Sequence, residues 1–310
     1  MDPVLEVRNL CISFTQYSSG LHRRSLNVIR DLSLTIESGQ VVAVVGSSGS
    51  GKSLLAHGIL GILPYNASIE GEIRYRGQTL DQARAERLRG SEIVLVPQGV
   101  TYLDPLLKIG PQVCKGSRQK EILDRCRKVL ARYGLGPQTE ELYPFELSGG
   151  MARRVLVSTA VMESPGLVIA DEPTPGLDAK AAERILRHFR ELADGGAGVL
   201  FITHDLDTAL TVADRVSVLY AGETVEEAEA SDFEAGRLRH PYTRALWNAM
   251  PRNGFTPIPG TQPYPDDPLP GCLFAPRCPL CRPECERGSV PVRKVGNGYV
   301  RCLAEQEGGQ

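Results

Sequence analysis

The segment Val4-Leu5-Glu6-Val7-Arg8-Asn9-Leu10 alternates apolar and polar side chains, and this period of two predicts a half-buried strand that ends near Phe14 and Tyr17. A loop containing Gly and Arg then runs to Arg24, and a second strand is expected over 31–36, before the turn Glu37-Ser38-Gly39. Val41 to Val45 is apolar throughout, as in a strand buried on both faces. A short strand is expected over 71–75, and an apolar one over 92–96 that ends in Pro97-Gln98. Residues 118–133 have helical spacing, with Ile122, Val129 and Leu130 among charges. A helical insertion is therefore expected between about 100 and 147, in a helical subdomain reaching about 165. Leu147-Ser148-Gly149-Gly150-Met151 opens a helix whose apolar positions continue to Val161. The apolar strand 167–172 delivers Asp171 and Glu172 at its end, and 199–203 ends in His204-Asp205. A strand over 216–220 leads into an acidic segment, 223–234, and a helix over 242–250. Strands alternating with helices predict an α/β fold.

Beyond Pro251 this patterning stops. The last 60 residues hold 11 of the 22 prolines and five of the eight cysteines. A loop-rich extension over 251–310, separate and contributing no more sheet, is expected after a domain spanning 1–250. With 310 residues, 42% hydrophobic and 23% charged, the chain has the composition of a globular protein with one large or two ordinary cores. Its net charge of −2 offers no general attraction to nucleic acid or anionic lipid, so nucleic acid is not an expected partner. The longest apolar candidate, 155–170, is interrupted by Glu163 and Pro165 and falls short of the roughly 18 residues a membrane span needs. Met1-Asp2-Pro3 begins no basic-then-apolar leader. A cytosolic, reducing location is expected, in which the cysteines do not pair as disulfides.

The chemistry concentrates after the Val41 to Val45 run, where Gly46-Ser47-Ser48-Gly49-Ser50-Gly51-Lys52-Ser53 has the form G-x-x-x-x-G-K-S. Glycines at 46, 49 and 51 allow a tight turn with N–H groups pointing inward, and a helix N-terminus adds partial positive charge, which makes a concave anion site. Lys52 is expected to reach the β- and γ-phosphates and the Ser53 hydroxyl to hold Mg²⁺. A glycine-rich turn that binds nothing is the alternative; the strand-to-helix context argues against it. Asp171 is expected to ligate Mg²⁺ through water, and Glu172 to orient or deprotonate the attacking water, against the alternative of two N-capping carboxylates. His204, at the carboxyl end of a strand, is a candidate γ-phosphate sensor, although a single histidine is more often structural. Phe14, and second Tyr17, are candidates to stack on adenine, the alternative being an exposed edge-strand aromatic. Ser148-Gly149-Gly150 reads as a second anion-binding helix start or as a plain turn.

The phosphate loop at 46–53, Gln98, Leu147-Ser148-Gly149-Gly150-Met151, Asp171-Glu172 and His204 stand in an order and spacing that resemble the nucleotide-binding subunits of ABC transporters, over residues 3 to about 250. The resemblance implies a P-loop NTPase ABC ATPase domain with a mixed sheet core, an antiparallel β subdomain and a helical subdomain. It implies that two subunits sandwich two ATP molecules head to tail, each between Lys52 of one and Ser148 of the other. The implied ATP-contacting set also takes in Leu54, Gly149, Gly150 and Asp178. Gln98 is implied as a Mg²⁺-side group that, with the helical insertion, transmits closure to coupling helices of the membrane subunits.

Within that family, Leu142-Tyr143-Pro144-Phe145-Glu146 and His240-Pro241-Tyr242-Thr243-Arg244-Ala245-Leu246 resemble the oligopeptide, dipeptide and nickel importer branch. This implies ATP hydrolysis that powers uptake of peptides or of nickel and other metal chelates. The implied partners are a second ATPase subunit, expected as a heterodimer, two permease subunits and an extracytoplasmic binding protein, with the chain peripheral on the cytoplasmic face of the cell membrane. Thr174-Pro175-Gly176-Leu177-Asp178 and Ala152 depart from the family's usual residues where the subunits would meet, which bears on whether both ATP sites hydrolyse. The alternatives are a non-transport ABC ATPase and a catalytically weak regulatory half of a heterodimeric pair. A second cassette or a long coiled coil would mark the first and loss of Lys52, Glu172 or His204 the second; the sequence has none of these marks.

Five cysteines within 31 residues of a proline-rich tail call for a metal as the simplest staple. Cys272, Cys278, Cys285 and Cys302, spaced C-x5-C-x6-C-x16-C with Cys281 spare, resemble the cysteine-rich tail of peptide-importer ATPases, some of which carry a [4Fe–4S] cluster. Zinc is the alternative, through the short Cys278-Pro279-Leu280-Cys281 spacing, and unmetallated thiols the third reading.

Overall fold

The structure, a computed structural model, describes residues 3–17, 22–267 and 269–304; most of the loop expected before Arg24 lies outside the described residues. Along the chain, β1 (Leu5–Tyr17), β2 (Arg23–Ile36) and β3 (Val41–Val45) precede α1 (Lys52–Leu60), and β4 (Ala67–Tyr75), β5 (Gln78–Thr79), α2 (Gln82–Leu88) and β6 (Ile93–Val96) follow. The helical stretch holds α3 (Ile109–Val113), α4 (Lys120–Arg132) and α5 (Gly149–Ala160). Then come β7 (Leu167–Asp171), α6 (Ala179–Asp194), β8 (Gly198–Thr203), α7 (Leu206–Leu210), β9 (Arg215–Tyr220) and β10 (Glu223–Glu229). The short helix α8 (Ala230–Glu234), α9 (Pro241–Asn248) and the hairpin of β11 (Val292–Val295) and β12 (Gly298–Arg301) complete the described chain.

Strands β9, β3, β8, β7 and β6 lie side by side, all parallel. Every residue of β3, β7 and β8 is buried, because both faces of this sheet are covered. Successive side chains of β3 alternate between two cores. Val41, Ala43 and Val45 join Leu130 of α4, Val155 of α5 and Phe189 of α6, whereas Val42 and Val44 join Leu55 and Ile59 of α1 and Ile12 and Ile29 of the first two strands. The antiparallel set β5-β4-β1-β2 attaches to this sheet through β10, where Glu223 pairs with Asp31. The expected mixed core, antiparallel subdomain and helical subdomain are all present.

Two regions differ from the expectation. The acidic segment after β9 is a buried strand, β10, with Glu226 and Glu227 almost fully enclosed. Buried carboxylates require partners. Glu226 accepts the backbone N–H groups of Arg239 and His240, both at 2.8 Å, and Glu227 pairs with Arg215. The His240-Pro241-Tyr242 motif is thereby pinned as a helix start: His240 Nδ1 accepts the Tyr242 N–H at 3.0 Å as N-cap of α9, with Pro241 in the first turn. The extension, in turn, does contribute sheet. β12 pairs antiparallel with β10, and Gly298 permits the approach, since a Cβ there would stand 1.9 Å from the Glu227 carbonyl oxygen. Leu273 and Phe274 of the extension belong to the larger core.

Burial pushes the His240 imidazole down to about 3 from 6.5. The folded chain therefore holds it neutral while the unfolded chain takes up its proton, so this contribution to stability is present above 6.5 and is lost as the pH falls toward about 3. Asn retains the capping oxygen but does not titrate. Replacement His240→Asn is expected to reduce the fall of unfolding free energy across pH 4–6 by about 1.4 kcal/mol per pH unit, measured by urea denaturation. Equal slopes for the two proteins would contradict this.

Candidate functional site

In an open parallel sheet, ligands meet the carboxyl ends of the strands, and here β3, β7 and β8 end side by side. After β3 the chain turns through the phosphate loop into α1. The turn lies so close to β9 that a Cβ at Gly46 would stand 2.2 Å from the Leu219 carbonyl oxygen. The loop walls a cavity of about 460 Å³, lined by Ser48, Gly49, Gly51, Lys52, Ser53 and Leu54, by Val28 of β2, and by Gln98, Glu172 and His204. That volume falls in the range of small-molecule sites.

Lys52 is buried, and its Nζ donates to the carbonyl oxygens of Gly46 at 2.8 Å and Ser47 at 3.0 Å. Burial pushes its ammonium down, and the carboxylates of Glu172 and Asp171 oppose the shift. Glu172, the residue after β7, is buried with φ at +48°, a left-handed conformation that costs a non-glycine residue about 1–3 kcal/mol. Its surroundings hold it there. The Glu172 N–H donates to the Ile202 carbonyl at 2.9 Å, and Arg153 donates to its carbonyl at 2.6 Å. Carboxylate Oε1 meets the His204 N–H at 2.9 Å and His204 Nδ1 at 2.8 Å, while Oε2 accepts from the Thr203 hydroxyl at 3.3 Å. The acid, the histidine and the lysine expected from the sequence thus share one cavity.

Asp171 lies behind Ser53. Burial pushes its carboxyl up, and the Ser53 hydroxyl and the Lys52 charge act against this. Its Oδ1 is buried with no hydrogen-bond partner. An orphaned carboxylate oxygen beside a serine hydroxyl, with Gln98 on the same cavity, is an all-oxygen donor set of the kind Mg²⁺ takes, so the residues fit that ion.

Other expected residues lie elsewhere. Phe14 is half-buried against the smaller core, facing Leu26 and Ala67 in the strand register, and is not among the residues lining the cavity. Tyr17 is exposed, with the Arg23 guanidinium 5.5 Å from its ring centre. Ser50 is buried behind the loop with its hydroxyl unpartnered. Ser148 caps α5 by accepting the Met151 N–H at 3.3 Å, Asp178 caps α6 by accepting the Ala181 N–H at 2.9 Å, and none of Ser148, Gly149, Gly150 or Asp178 reaches this cavity. Val28 and Arg153 were missed by the motif-based reading. Val28 carries no chemical signal, but Arg153 is one of two adjacent charges, with Arg154, between Ala152 and the apolar run from Val155, which is such a signal.

The extension brings Cys272, Cys278, Cys285 and Cys302 onto one small cavity shared with His240 and Phe274, and all are free thiols. Burial pushes Cys272 up to about 11. Among the described residues no group of three or more His, Cys, Asp or Glu side chains is formed that could hold a metal ion.

A family profile described as ABC transporter matches residues 29–175, and one described as oligopeptide/dipeptide transporter, C-terminal region, matches residues 225–285. The chain is 38% identical over 306 residues to the oligopeptide transport ATP-binding protein of Mycobacterium tuberculosis, covering 92% of this chain and 49% of that protein. It therefore spans about half the length of that relative. The dipeptide transport ATP-binding protein of Bacillus subtilis is 36% identical over 311 residues, covering 93% of this chain and 90% of that one. Among solved structures, a dimeric ATP-binding cassette in a post-hydrolysis state bound to ADP and Pi superposes with a TM-score of 0.63 at 27% identity, covering 73% of this chain and 98% of that one. With the cavity, the strand-end carboxylates and the extension all in place, the chain belongs to the ABC transporter ATP-binding proteins, in the oligopeptide/dipeptide branch.

Proposed function

We propose that the chain binds MgATP at this cavity and hydrolyses it to power peptide uptake across a membrane. The observation that carries the hydrolytic part is the placement of Glu172, held in a strained conformation against His204 on the cavity that Lys52 also lines. In this reading Lys52 leaves the carbonyls of Gly46 and Ser47 for the β- and γ-phosphates, whose charge it offsets together with the loop N–H groups. Glu172 accepts the proton of the attacking water, and His204, on its Oε1, contacts the γ-phosphate. Ser53, Asp171 and Gln98 would hold Mg²⁺, which supplies positive charge at the β- and γ-oxygens.

The signature residues Ser148, Gly149 and Gly150, with Asp178, serve an ATP bound by a second ATPase subunit, a role supported by their position outside the chain's own cavity. Two permease subunits dock near the helical subdomain. Exposed Val100, Tyr102, Leu106 and Leu107 follow Gln98 closely in sequence and, with exposed Phe145, offer apolar contacts for them. An extracytoplasmic binding protein delivers the substrate, and the chain sits on the cytoplasmic face. Among the described residues no helix is long and apolar enough to cross a membrane. Peptides are the substrates that the relatives' names support; nickel and other metal chelates draw no support from them. For the cysteine cavity, the reading remains an iron–sulfur cluster, with zinc as the alternative, held by Cys272, Cys278, Cys285 and Cys302; its support is that these four residues line one cavity, and since no three of them form a metal-holding group in this structure, a cluster would have to draw their thiols together.

Three outcomes are expected. Replacement Glu172→Gln should leave ATP binding intact and lower turnover by about 10²–10⁴, whereas Lys52→Ala should lose binding; wild-type turnover in Glu172→Gln refutes the assignment of the base. Isolated chain should hydrolyse ATP slowly and accelerate when a homologous ATPase and the permeases are added. Full activity from a strictly monomeric preparation contradicts the shared-site reading. Anaerobically purified protein should be brown and absorb broadly near about 400 nm, and Cys272→Ser with Cys302→Ser should abolish the colour; a colourless preparation with stoichiometric zinc sinks the cluster.

A further inference from the structure

Ser47, the second residue of the phosphate loop, is gripped from outside by the far end of the chain. Its hydroxyl donates to Oε1 of Gln262, in the extension, and Ser47 also acts on the neighbouring phenol of Tyr242, against the upward push that burial gives it. On its inner side the same residue presents its carbonyl oxygen to Lys52 Nζ at 3.0 Å. One residue therefore links the extension to the lysine that faces the phosphates.

The segment that delivers Gln262 is itself fastened on both sides. Arg277 donates to the Pro259 carbonyl at 2.7 Å, Arg30 donates to the Pro265 carbonyl at 2.8 Å, and Arg24 pairs with Asp266 at 3.1 Å. A side chain presented by a strap held at both ends loses little additional freedom when it bonds the loop, so more of the hydrogen bond's free energy goes into fixing the loop. Tyr242 is similarly immobilised, its ring packed on Tyr220 with centroids 4.5 Å apart and on Phe274 at 5.4 Å.

We infer that Gln262 is a positioning residue for nucleotide binding: it acts through Ser47 to hold the phosphate loop in its anion-binding shape, touching neither phosphate nor metal. The inference rests on MgATP binding at this cavity. Its effect should fall on affinity and not on the chemical step, because Glu172 and His204 are held by β7 and β8 independently of the strap.

The test is a double-mutant cycle on the full chain, with MgATP affinity measured by calorimetry for wild type, Gln262→Ala, Ser47→Ala and the double variant, and KM and kcat measured in the assembled transporter. Gln262→Ala is expected to weaken MgATP binding about three- to tenfold and raise KM correspondingly, with kcat and the thermal midpoint little changed. The double variant should be no weaker than Ser47→Ala alone, because both remove one interaction. Wild-type affinity in Gln262→Ala, additive losses in the double variant, or a loss confined to kcat each overturns the inference while leaving ATP binding in place. A wild-type chain that binds no MgATP overturns the inference together with the function it rests on.

Discussion

Three charged side chains, Lys52, Asp171 and Glu172, are each less than a tenth exposed and share one corner of the molecule. Taking any of them out of water alone would cost several kcal/mol, so their burial is tolerable only where opposite charge lies close by. One ammonium against two carboxylates still leaves an excess of negative charge. Burial pushes Asp171 up, the Glu172 charge adds to that push and its Oδ1 has no partner; a divalent cation is the species that would cancel the excess. The sheet answers to this requirement. Only parallel strands bring the ends of β3, β7 and β8 to the same edge, and only helices packed on both faces allow those strands to be apolar throughout.

The parts legible in the sequence are those whose chemistry is local. The phosphate loop is eight consecutive residues between a strand and a helix, and 167–172 couples an apolar run to two carboxylates, so each motif carries its own context. Strand ends were less legible: β2 begins at Arg23, eight residues before the expected start, because its outer part is polar and leans on β1 rather than on a core. The strand β10 was hidden for a different reason. Four glutamates in seven residues look solvated unless one knows that Arg215 and the backbone at Arg239 and His240 will arrive to meet them. Phe14 illustrates the converse case, where residue type alone does not fix the neighbours: its ring lies half-buried against the smaller core.

The same division explains the extension. Its proline and cysteine content marks irregular structure correctly, yet its attachments are distant in sequence: β12 on β10, Tyr299 on the Ser33 carbonyl, Arg301 on Asp31, and Phe274 in the main core. Irregular backbone and integration into a core are compatible once side chains, and not ladders, make most of the connections. The four tail thiols follow from that packing, since the turns that seat Phe274 also turn Cys272 and Cys278 toward Cys285 and Cys302.

The contact between Ser47 and Gln262 spans 215 positions, and this sets an order of events in biosynthesis. At about 5–20 residues per second, a ribosome adds Gln262 roughly 10–40 s after Ser47. During that interval the nascent chain carries the whole phosphate-binding motif without the strap that grips it. A chain cut short before Gln262 keeps the motif but not this contact.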